Sequence, residues 1–498
     1  MKRTHLVSLL ALTGVLLTTT AIAADPRLDS WLTAYSGKYA RIYLTDADKN
    51  SGNAVSTWSR GSISQALPAY CGVYEASSSV SWSYVRTTGL GSHTMGPWYG
   101  DAAHANVFMN LPKSSATLYR IPRTPAVAAT KTLTGLGPIG VFVDGVIMFD
   151  SRDAFAYVNS TGLEANPGDG IWNRDAYVNE SVTFDPALAH QPGSGQYHYH
   201  ANAIALRAQL GDHVNFNPAT RTYAEATNTP ATTHSPILGW VRDGYPVYGP
   251  YGYAVSNNPA GGVRRMISGF VPRNIDLASV SNRATLPAWA GRAQNRSTTL
   301  AANQYGPVVS VNANANLSRQ FGRYLEDNDY LGDLGFTQGV HFDLDEFNGR
   351  WCVTPEFPAG TYAYFTAITS NGAPAFPYNI GRQFYGTVSG GLGGGVIMGG
   401  VYPEMVTTNF VGGANSALRL QAPALSNGGA DVTLTWSSTE GSTYVVSATT
   451  NLQTWVTNIA PSVTATSNVA RATETGGALN RDRRFYKVTR SGLAPYTN

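Results

Sequence analysis

Two imidazoles two residues apart, His198 and His200, stand in the run Gln196-Tyr-His-Tyr-His200, directly after the turn signal Pro192-Gly-Ser-Gly195. Alternation at period two fits a strand, which puts both histidines on one face and Tyr197 and Tyr199 on the other. In extended chain the two Cα atoms are roughly 6–7 Å apart, close enough for both rings to reach one metal ion. Imidazole nitrogen suits zinc and copper equally. The competing reading is a pair of hydrogen-bonded polar residues in an aromatic-rich sheet.

Completing a metal shell needs one or two more nitrogen or oxygen donors. The candidates are His190, eight residues upstream of His198, together with His234, Asp243 and Asp345. Three such ligands with an open position would acidify a bound water for hydrolysis, and copper would instead cycle electrons. Asp243 sits in Asp-Gly, where turn chemistry competes with ligation. A different class of function, non-catalytic binding of a carbohydrate or another surface polymer, rests on the aromatic wealth of residues 240–253 and 362–378. Asp327, Asn328, Asp329 and Asp333 offer oxygen donors suited to calcium. The glycine and terminal glutamate of a helix-loop-helix calcium site are misplaced there, which favours a solvated acidic loop.

These residues need elements to hold them. The composition is low in charge (13%) and rich in aromatics (11%), with 52 Gly and 27 Pro, which predicts a mainly β, turn-rich fold. Gly140 to Phe149 reads as two apolar strands about an Asp144-Gly145 turn, and Gly360 to Phe365 as a further strand. Residues 201–210 fit either a short helix or a continued strand. Residues 254–320 read as long loops with one short helix. The run Gly390 to Gly395 has linker composition.

Met1-Lys-Arg followed by the apolar run Leu6–Leu17 and Ala21-Ile-Ala-Ala24 reads as an export leader cut after Ala23 or Ala24. The mature chain would then be secreted, periplasmic or on the cell surface. With 32 basic against 31 acidic residues it would carry no basic patch for nucleic acid. Nothing after the leader is long and apolar enough to span a membrane as a helix. Export also predicts a disulfide between the only cysteines, Cys71 and Cys352, closing a long loop worth about 5 kcal/mol. The expected organisation is a leader (1–24), a large β domain (25–400), a linker (401–415) and a small β-sandwich (416–498). There is no nucleophile elbow, phosphate loop or dinucleotide fingerprint in a suitable context.

From about Lys38 to Gly386 the chain resembles the YHYH family of bacterial proteins. The carrying stretches include Gly89-Leu-Gly-Ser-His-Thr-Met-Gly-Pro-Trp98, Trp172-Asn-Arg-Asp-Ala, Gly195-Gln-Tyr-His-Tyr-His200, Ile237-Leu-Gly-Trp-Val-Arg-Asp-Gly-Tyr245, Asn348-Gly-Arg-Trp-Cys352 and Pro374-Ala-Phe-Pro-Tyr378. The resemblance implies the domain and no particular activity. Two positions differ from a form common among members. No cysteine stands between Phe184-Asp185 and His190, and the second Tyr-x-Tyr strand, which can carry histidines, reads Tyr362-Ala-Tyr-Phe365. Residues 416–498 resemble fibronectin-type or immunoglobulin-like accessory modules in strand texture.

Overall fold

The computed structural model describes residues 25–32, 37–273, 283–310, 319–388, 396–397, 400–413, 418, 420–438, 443–466, 469–479 and 483–492. The leader and the glycine run at 390–395 lie outside them. The chain is mainly β, with 39% strand and 11% helix. No helix of the described residues is long and apolar enough to cross a membrane.

An eight-stranded sheet organises the molecule. Its strands in chain order are β1 (Pro138–Phe142), β2 (Ile147–Phe149), β3 (Ala189–His190), β4 (His198–Tyr199), β5 (Ile237–Val241), β6 (Pro246–Tyr248), β7 (Gly349–Cys352) and β8 (Thr361–Phe365). They lie side by side as β3-β4-β2-β1-β5-β6-β8-β7. Asp144-Gly145 closes the β1–β2 hairpin as predicted, and Asp243-Gly244 closes an equivalent β5–β6 hairpin.

The two halves of this sheet repeat one another. β1 and β5 pair antiparallel at the centre, with Val141 opposite Trp240, Gly140 opposite Val241 and Phe142 opposite Gly239. Each half thus begins with an Asp-Gly hairpin whose first strand joins that central pair. Both glycines are required by the approach: a Cβ on Gly140 would lie 2.6 Å from the Trp240 carbonyl oxygen, and one on Gly239 2.8 Å from that of Val141. Outward, β4 runs parallel to β2 and antiparallel to β3, while β8 runs parallel to β6 and antiparallel to β7. The registers place His190 where Arg350 stands in the other half, and His198 where Ala363 stands.

A single large apolar cluster packs on this sheet, including Trp98, Phe142, Tyr197, Tyr199, Trp240, Tyr248 and Phe365. The aromatic runs expected to form an exposed sugar-binding wall are therefore interior: Trp240, Tyr248, Tyr364 and Phe365 are fully enclosed. Acidic residues at 326–329 are likewise buried rather than solvated. Asp327 receives two hydrogen bonds from the Arg283 guanidinium, at 2.7 and 2.9 Å, and Asp333 pairs with Arg292. Guanidinium groups occupy the positions a calcium ion would neutralise. Residues 201–210 resolve to a helix over Ile204–Gln209. The stretch 254–320 holds a hairpin, Tyr251–Val255 with Asn258–Arg265, as well as the helix Ala288–Gln294.

Cys71 and Cys352 are free thiols, both buried, so the expected disulfide does not form. Cys71 lies by the β1–β2 turn, since a Cβ on the adjacent Gly72 would sit 2.6 Å from the Asp144 carbonyl oxygen. Cys352 lies on β7, four strand positions from β1. At about 4.8 Å per strand that is roughly 19 Å, far beyond disulfide reach. Burial raises the Cys71 thiol to about 12 and the Cys352 thiol to about 11.

Residues Thr407–Val411, within the stretch expected to be linker, pair with Val73–Ser78 in a five-stranded sheet. Beyond them are two three-stranded antiparallel sheets, built on Asp431–Ser437 and Thr443–Thr449. Val432, Leu434 and Trp436 of one share an apolar cluster with Tyr444 and Val446 of the other.

Candidate metal centre

β4 is held from both sides, by β3 across an antiparallel bridge and by β2 in parallel register. Its alternation places the side chains as expected. On one face Tyr197 donates to Asp185 at 2.8 Å, and Tyr199 packs edge-on against Phe142. On the other face His198 and His200 turn toward His190, which lies directly opposite His198 in the β3–β4 register. One ring nitrogen of each of the three lies within 4.8 Å of the others, and all three residues are buried. Phe149 stacks on His198 with centroids 3.8 Å apart, and Phe184 packs edge-on against His190.

The outer ring nitrogens determine which way the lone pairs face. His198 Nδ1 is 2.9 Å from the Gln196 carbonyl oxygen, and His200 Nδ1 is 2.6 Å from that of Asp150. A carbonyl only accepts, so both Nδ1 atoms carry the proton. His190 Nδ1 is 2.7 Å from the Thr183 hydroxyl. That hydroxyl gives its own hydrogen to the Glu180 carbonyl at 2.7 Å, so it accepts from His190 as well. All three rings thus have the same tautomer, with Nε2 available inward. Bonding the remote nitrogen in this way is how protein frameworks orient metal-ligating histidines.

Glu180 completes the set. It ends the short helix α1 (Ala176–Glu180), whose N-cap Asp175 accepts from the Val178 amide at 3.0 Å and from the Tyr378 hydroxyl. Its Oε2 lies 3.3 Å from His200 Nε2 and 3.5 Å from His190 Nε2, while His198 Nε2 and His200 Nε2 are 2.9 Å apart. Ligands about 2.0–2.1 Å from a tetrahedral metal stand about 3.3 Å from one another. The three separations just given, 2.9, 3.3 and 3.5 Å, are near that spacing.

Electrostatics agree with this geometry. Burial lowers His190 to about 3, and burial together with the neighbouring rings holds His198 well below the usual imidazole range. Burial also pulls His200 down, but the hydrogen bond and charge of Glu180 outweigh it and raise the group. Burial pushes Glu180 up, yet its contacts with His200 and His190 prevail and lower it. Without a metal, one proton on His200 facing Glu180 supplies the positive charge that the converging lone pairs require.

The other predicted site residues lie elsewhere. His234 belongs to the second half of the sheet, edge-on to Tyr248 and Tyr253 at 4.9 Å, with Nδ1 bonded to the Ser235 carbonyl. Asp243 accepts from the Tyr364 hydroxyl at 2.6 Å and the Gly386 amide at 2.9 Å. Asp345 accepts from the Tyr362 hydroxyl and from the Phe347 and Gly349 amides. Asp345 plays the part that Asp185 plays in the first half, where it receives Tyr197 and the Ala187 and Ala189 amides. Neither aspartate faces the histidine cluster, because both serve the tyrosine face of β8. Glu180 had no local signal in the sequence. The repeat was visible, as Gly-x-Tyr-x-Tyr at 195–199 and at 360–364, each paired with an Asp-Gly hairpin.

The family model of the YHYH protein matches residues 118–376, more than half of the chain, and the chain belongs to that family. The matched span contains all four converging residues. No curated protein and no solved structure matches the chain. The match ends before residue 416, and no comparison links the C-terminal sheets to fibronectin-type or immunoglobulin-like modules.

Proposed function

We propose that His190, His198, His200 and Glu180 bind one transition-metal ion, zinc or copper. The observation that carries this reading is the common tautomer: three buried Nε2 atoms converge beside a carboxylate, a donor set that a metal ion satisfies fully and that a single proton on His200 satisfies in its absence. Three imidazoles form a neutral cradle, and Glu180 is the most exposed of the four side chains at 27%. Zinc there would bring a bound water toward neutral pKa, and copper would add electron transfer. A hydrolytic site would need an open position: the three imidazoles would then hold the ion, and Glu180, 3.3 Å from His200 Nε2, would be placed to accept a proton from a bound water. Phe149 and Phe184 pack their rings against the imidazoles. The burial of the 240–253 and 362–378 aromatics removes the main support for a sugar-binding surface.

We further infer that the chain is exported and cut after Ala23 or Ala24, on the strength of its leader. The two C-terminal sheets are read as an accessory sandwich, on their shared apolar cluster. Metal analysis of the exported protein tests the central claim. About one equivalent of zinc or copper per chain, lost in His198→Ala, supports it. A chain as purified without bound metal, which also fails to take up either ion at micromolar concentration, refutes it.

A further inference from the structure

Behind the site strand lies a cavity of about 470 Å³, lined among others by Tyr43, His93, Pro186, Phe216, Arg221 and Tyr223. That volume suits a small organic molecule. One wall is the hairpin Val214–Asn217 with Thr222–Glu225, a two-stranded sheet of its own that contributes Phe216, Arg221 and Tyr223. We propose that this cavity binds a small aromatic carboxylate.

The lining argues for that class. Phe216 and Tyr223 stand 5.0 Å apart and, with Tyr43 and Pro186, offer flat apolar surface for a ring. Among the described residues the Arg221 guanidinium is tethered only through Nη1, which donates to the Asn50 carbonyl oxygen at 2.9 Å. No carboxylate among the described residues pairs with it, so the rest of its guanidinium fork is open to an acid. Gln209 accepts from the Ser92 hydroxyl through Oε1, and among the described residues its amide nitrogen has no partner. Cation and donor therefore face a cavity with aromatic sides and no acidic lining residue.

The cavity also touches the site strand. His93 Nε2 is 3.0 Å from the Tyr197 hydroxyl, which donates to Asp185. Asp185 opens the segment whose Pro186 and Ala187 line the cavity and whose last residue is His190. An adjoining cavity of about 300 Å³ shares Pro186 and Tyr223 and reaches Phe184, which packs on His190 and His200. A ligand held by Arg221 thus lies along the one stretch of chain that also carries a metal-centre imidazole.

Titration of the full exported chain with 1-naphthoate and with neutral 1-naphthol, followed by calorimetry, tests the assignment. Saturable one-to-one binding of naphthoate is expected. Arg221→Gln should weaken naphthoate at least tenfold and leave naphthol unchanged, while Phe216→Ala should weaken both. Both positions are on the solvent-facing hairpin, so the fold is retained. Absence of saturable naphthoate binding, or naphthoate binding unaltered in both variants, overturns the proposal. Repeating the titration on His198→Ala reads the cavity without the metal ligands, so a failed metal assignment leaves this one standing.

Discussion

His198 and His200 bring their Nε2 atoms to within 2.9 Å of each other, and each has its Nδ1 committed to a carbonyl oxygen. Two such lone pairs need something positive between them. His198→Ala or His200→Ala should therefore reduce bound metal from about one equivalent to less than a tenth, read by elemental analysis. Since each ring is replaced at a site rather than in the sheet's apolar centre, the circular-dichroism spectrum of the metal-free variants should match that of the chelated parent.

Glu180 and Thr183 act on the same centre by different routes. Glu180→Gln keeps the shape and removes the charge opposite His200, and Thr183→Val removes the acceptor that orients His190. Each should weaken metal affinity about ten- to a hundredfold, as loss of an orienting or charged partner does elsewhere. Competition with a chromophoric chelator measures this. Affinities equal to the parent in both variants would remove Glu180 and the tautomer argument together.

The thiols give a prediction independent of any metal. Mass analysis of the unreduced purified chain should find two free cysteines. A thiol reagent should leave both untouched in the native protein and label both after denaturation, because burial holds each thiol protonated.

Much of the site strand was legible, because a period of two assigns faces without knowledge of the partner strands. The Asp144-Gly145 hairpin was legible for the same reason: its signal is local. Glu180 was not, since its carboxylate reaches His190 and His200 only through where α1 ends in the fold. His234 misled because a histidine's neighbours are set by sheet order, and β6 with β8 places it in the other half. The disulfide failed on similar grounds: oxidising surroundings make a bond permissible, while β7 sits too far from the β1–β2 turn to form one. Composition marked 326–329 as acidic, but only Arg283, over forty residues earlier, shows that Asp327 is neutralised inside.

A strong pH dependence outside the metal centre should come from Asp144. Its carboxyl is fully buried, accepts one backbone hydrogen bond at 3.1 Å from Val146, and has no partner for Oδ2; burial raises it to about 7. The folded chain thus holds a proton there that the unfolded chain releases above its usual value of about 3.8. A folded form that binds more protons loses stability as pH rises. Between pH 4 and 7 the metal-free protein should lose on the order of 2–4 kcal/mol from this one group. Asp144→Asn keeps the amide-accepting oxygen and an equally good Asn-Gly turn, but carries no charge at any pH. It should match the parent near pH 4.5 and exceed it at pH 8 by about the same 2–4 kcal/mol. Denaturant melts of both chains at the two pH values, with chelator present, measure the difference. Equal stability at pH 8 would mean that Asp144 is ionised in the fold and finds its charge compensated there.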